Sequence, residues 1–98
     1  MDVAAQFFAA ACALALSTES LQDRLANAYA DHLLSVTGED LPADLRPAFA
    51  ALEAAMNREE LDEEDDPFLA AARLLSDDEA RQLIERVLLL YGRLTASP

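Results

Sequence analysis

Between Val3 and Leu16 the chain reads VAAQFFAAACALAL, fourteen residues without a charged side chain and with only Gln6 as a polar one. Helical spacing puts Val3, Phe7, Ala10, Ala11 and Leu14 on one face, and Phe8, Cys12 and Leu16 on the other. A helix that is apolar on both sides has to be enclosed by a core or covered by a partner. The run is shorter than the ~20 apolar residues that cross a bilayer. Ala13-Leu14-Ala15 has the form of an export cleavage site, but the positive segment that precedes such a site is missing. Asp2 is acidic and the first arginine is Arg24. The expectation is a buried helix from about Asp2 to Leu16.

The rest of the chain favours helix as well. Alanine is abundant and β-branched residues are scarce, and two glycines with four prolines leave little material for a turn-rich β fold. Ser17 and Thr18 are candidate N-caps for a helix from Glu19 to Thr37, with Leu21, Leu25, Ala28, Tyr29, His32, Leu33 and Val36 on its inner face. Gly38 stands where a C′ glycine would end it. In EDLPADLRP, Asp40 can cap, and Pro47 forces a choice between a short turn before a helix and one helix bent at the proline. Leu45, Ala48, Phe49, Leu52, Ala55 and Met56 form the inner face of that third helix.

Asp66-Pro67 reads as an N-cap and first-turn pair opening a short helix from Phe68 to Leu75. Ser76 and Glu79 form a capping box for the last helix, Asp77 to about Leu94. Its expected inner face is Ala80, Leu83, Ile84, Val87, Leu88, Tyr91 and Leu94. The fold expected is all-α: a compact up-and-down bundle of four main helices plus one short helix, in one domain over residues 1–98. Residues 57–66 form an acidic connector and residues 95–98 a frayed tail.

The net charge is −12, and all seven basic residues are arginines. Such a chain repels phosphate backbones and anionic membrane surfaces, so neither a direct nucleic-acid nor a membrane partner is expected. From Glu59 to Asp66 every position but Leu61 is a carboxylate. An EF-hand register fails there twice. Starting at Asp62 it puts Pro67 at position 6 and Arg73 at position 12; starting at Glu60 it puts Asp65 and Ala71 there. A solvated connector is the simpler reading.

Cys12 is the lone cysteine, which fits a reducing, cytoplasmic location, and His32 is the lone histidine. In a hairpin of the first two helices these two lie roughly 15 Å apart along the axis, too far for a nucleophile–base pair. His32 falls on the apolar face, where a hydrogen-bonded core histidine is the ordinary role. There is no glycine-rich phosphate loop, no G-x-S-x-G and no H-E-x-x-H. No enzyme activity, cofactor or metal is expected.

The leading expectation is a non-catalytic helical protein–protein interaction module that binds another protein or a second copy of itself. Its partner-binding candidates are Phe8 and two leucines set off the inner faces, Leu34 and Leu89. One alternative is an acidic decoy for a basic, nucleic-acid-binding protein, carried by Glu63, Glu64, Asp65 and Asp66. Another is a weak cation-binding or enzymatic site near His32.

Overall fold

The computed structural model describes residues 2–61 and 63–96. Asp62, inside the expected acidic connector, and Ser97 and Pro98, in the expected tail, lie outside the described residues. Among the described residues there are five α-helices: α1 Val3–Leu16, α2 Leu21–Ala28, α3 Arg46–Met56, α4 Pro67–Arg73 and α5 Asp77–Thr95. Among the described residues there is no strand. The chain is all-α.

Local chemistry sets the helix ends. Asp2 accepts from the Ala5 amide and opens α1. Asp66 accepts from the Leu69 amide at 3.0 Å, with Pro67 in the first turn of α4. At α5 the Ser76 hydroxyl accepts from the Glu79 amide, and the Ser76 amide donates back to the Glu79 carboxylate at 3.0 Å. The hydrogen bonds from Ser76 hold the Glu79 carboxyl below the usual glutamate range. Its contribution is therefore present above the ordinary glutamate pKa and is lost as pH falls through the lower, folded value.

Three boundaries differ from expectation. Ser20, and not Ser17 or Thr18, caps α2, accepting from the Asp23 amide at 3.2 Å. Ser17 is spent on a local turn, where its hydroxyl accepts from the Glu19 amide. α2 does not continue to Thr37: it passes at Tyr29 into a π turn, Tyr29–Leu33. Gly38 is no helix C-cap. It has no positive φ, and it begins a short 3₁₀ turn, Gly38–Asp40, boxed by Thr37 and Asp40. The Pro47 question resolves to a turn before a helix: a 3₁₀ turn at Ala43–Leu45 precedes α3, and Pro47 sits in the first turn of α3 where its missing amide leaves no bond unmade.

The core gathers one face from every helix. Phe7, Phe49, Leu25, Leu33, Leu52, Met56, Val87 and Leu90 are almost fully enclosed. The Phe7 and Phe49 rings meet edge-on with centroids 6.0 Å apart and tie α1 to α3. α1 packs on α2, on the π turn and on α5. α2 packs most heavily on α4, so the neighbours in space are not simply the neighbours in sequence.

α5 is rotated relative to its expected face. Leu88, expected inward, is 45% exposed, whereas Leu90 is 1% exposed. α5 packs against α1, α2 and α3, and its buried arc centres on Val87. At about 100° per residue Leu88 falls ~100° from that centre on one flank, and Leu90 only ~60° on the other. α5 also runs through Thr95, whose hydroxyl donates to the Tyr91 carbonyl at 2.9 Å, so that residue of the expected tail is helical.

This rotation predicts unequal costs for two adjacent-looking substitutions. Leu90→Ala should lower stability by about 2–5 kcal/mol, and Leu88→Ala by under about 1 kcal/mol, in urea unfolding. Equal costs would place the inner face as the periodicity first drew it.

Candidate functional site

The outer half of α1 is the most distinctive surface. Phe7, Ala10 and Leu14 enter the core, while Ala5, Phe8, Ala15 and Leu16 remain exposed and Cys12 is half-buried. No charged side chain interrupts that outer face. Phe8 is 53% exposed and Leu16 82%. Phe8 leans across to α5, its ring centroid 5.8 Å from that of Tyr91. Leu88, one turn before Tyr91, is exposed beside this seam. Phe8 and Leu16 thus stand on a face of α1 without charge, and Leu88 of α5 is exposed one turn from Tyr91.

The three expected partner-binding residues are all exposed but lie in different places. Phe8 is in the α1–α5 seam. Leu34 lines a shallow hollow with Ala30, Asp31 and Ser35 at the end of the π turn. Leu89 lines a groove with Ala48 of α3 and Gln82, Glu85 and Arg86 of α5. Leu16 and Leu88 belong with Phe8 but were outside the expected set. Leu16 was legible as an outer-face residue of the first helix; Leu88 was not, because the rotation of α5 depends on how α1, α2 and α3 pack around it.

The acidic residues Glu63, Glu64, Asp65 and Asp66 are exposed. They occupy a tight segment between a 3₁₀ turn, Glu59–Leu61, and the start of α4. Asp66 is already engaged as the α4 cap, and Glu60 pairs with Arg58. Among the described residues no group of three or more histidine, cysteine, aspartate or glutamate side chains is placed to hold a metal. His32 sits half-buried in the π turn rather than inside the core, and among the described residues its side chain makes no hydrogen bond. Cys12 is half-buried on α1. The α2 helix gives way to the π turn just before His32, so its ring does not share the uninterrupted helical face assumed from spacing.

Tyr29, in the same π turn as His32, is held by burial and by a hydrogen bond. Its side chain is buried, and its hydroxyl accepts from the Asn57 side-chain amide at 2.7 Å. The Tyr29 ring also packs against Phe68, centroids 5.3 Å apart, so it joins the π turn to α3 and α4. Burial raises the phenol pKa above its usual value; the Asn57 bond opposes this and the Glu53 charge adds to it. The Asn57 bond and the Phe68 contact make this side chain a clamp between the π turn, α3 and α4.

No helix among the described residues is long and apolar enough to cross a membrane. No family model matches the chain, and no curated protein or solved structure proved similar to it.

The Tyr29 clamp has a pH consequence. A phenol whose folded pKa is raised stabilises the fold fully below the unfolded value of about 10, and that stability is lost as pH rises through the folded value. Urea midpoints should therefore fall with pH above about 10, and Tyr29→Phe should flatten that slope. An unchanged slope in the variant would contradict the assignment.

Proposed function

We propose that the protein is a non-catalytic helical interaction module, and that it binds a second protein, or a second copy of itself, through the outer face of α1 and the adjoining edge of α5. The observation that carries this reading is the uncharged outer face around Phe8, Cys12 and Leu16, extended by Leu88. Burying a Phe or Leu side chain is worth about 1.5–3 kcal/mol, so two or three of these residues are enough for a binding centre. The surrounding surface is strongly acidic at −12 net, which keeps the free chain soluble and gives the apolar face a polar rim.

The acidic-decoy reading predicts something different. Carboxylates that imitate a nucleic acid have to be spread along a rigid face, and Glu63 to Asp66 are crowded into a turn. An apolar contact is insensitive to their removal. Exchanging Glu63, Glu64, Asp65 and Asp66 for Gln and Asn should leave partner binding within about twofold, whereas salt-sensitive binding lost with them would support the decoy.

Light scattering over a wide concentration range and an affinity pull-down test the reading directly. Association is expected in at least one of them, and Phe8→Ser should weaken it at least about tenfold without changing the helical circular dichroism. A strict monomer that retains no protein would overturn it.

A further inference from the structure

Six of the seven arginines have a hydrogen bond or ion pair with another described residue. Arg24 and Arg46 donate to backbone carbonyls, and Arg58, Arg73, Arg81 and Arg93 pair with carboxylates. Arg86 has none among the described residues, and its Nε is buried without an acceptor. It lines two adjoining openings beside α3 and α5. One, of about 520 Å³, is bordered by Ala48, Gln82, Glu85 and Leu89. The other, of about 190 Å³, adds Ala55, Leu75, Glu79 and Leu83.

The acids that line these openings with Arg86 are already engaged. Glu85 pairs with Arg81 at 3.5 Å, and Glu79 is held in the Ser76 capping box. Between Glu79 and Leu89 the groove runs ~15 Å along α5, at 1.5 Å per residue, which matches about three turns of an α-helix. Its floor is alanine and leucine, and Leu89 stands 62% exposed at one end.

We propose that the α3–α5 groove docks an amphipathic helix of a partner protein, in which one carboxylate pairs with Arg86 and an apolar side chain a turn away covers Leu89. The proposal rests on the interaction-module reading and gives it a second, chemically specific surface. An arginine Nε buried without an acceptor is costly, and a carboxylate can take the guanidinium side-on through Nε and a terminal nitrogen once the group swings toward the groove. The net charge of −12 repels an acidic run at long range. One carboxylate set among apolar residues is therefore the chemistry that fits. Lysine at position 86 would keep the charge and lose the fork.

The test uses the full chain and two capped synthetic helical peptides of about three turns, identical except for Glu or Gln one turn from a leucine. ¹H–¹⁵N NMR follows the arginine Nε–Hε signals. The Glu peptide should move the Arg86 signal and bind about tenfold more tightly than the Gln peptide. Arg86→Gln should abolish that preference while Leu89→Ala weakens both peptides, with helical circular dichroism unchanged. Equal binding of the two peptides to the wild-type chain would overturn the proposal, as would movement of Arg86 on raising the concentration of the chain alone, which would make the groove a self-contact. Absence of binding by either peptide, alongside association that depends on Phe8, would reject the groove and leave the interaction module standing.

Discussion

The structure depends on how α1 divides its two apolar sides. A helix with no charged residue cannot offer water a polar face. The bundle encloses one side, through Phe7, Ala10 and Leu14, and the edge-on Phe7–Phe49 contact fixes α1 against α3. Once that side is enclosed, the other is committed to the surface. Phe8 is only one residue from Phe7, so about 100° of rotation carries it out of the core toward Tyr91. The inner side of α1 serves folding, and the outer side, exposed at Phe8 and Leu16, is the surface we propose for association.

Much of this was legible in the sequence where the signal was local. The Ser76–Glu79 capping box, the Asp66-Pro67 start and the exposure of Leu89 follow from spacing of three to four residues, and the structure carries each of them. Helical class followed from composition. The errors came where a distant contact decides. Leu88 and Leu90 exchange roles because α1, α2 and α3 together set which arc of α5 is covered, and no pattern within α5 announces where they lie. Gly38 looked like a helix stop, but the helix had already given way to the π turn at Tyr29, and that turn itself ends at Leu33, five residues before Gly38.

The candidate surfaces were only partly legible for the same reason. Leu34 and Leu89 were found because an apolar residue on a polar side of a helix stands out, and Phe8 because its helix has no polar side at all. That they lie in three places, and that Leu16 and Leu88 join Phe8, required the packing of α5 on α1. Arg86 was legible only as a wheel neighbour of Leu89. Its lack of a partner is a property of geometry, since Glu85 beside it turns to Arg81. The acidic run drew attention by composition, yet its residues form turns, a cap and an ion pair.

Hydroxyl-radical footprinting, read residue by residue by mass spectrometry, tests the central claim most directly. The same chain is compared as a dilute purified protein and in the cells that make it. Covering of the outer face of α1 predicts that Phe8, Leu16 and Leu88 react in the dilute protein and are protected several-fold in cells, while Leu74, exposed elsewhere, reacts alike in both. Equal reactivity of Phe8, Leu16 and Leu88 in the two states would contradict the account, because that face would then stay open to water wherever the protein works.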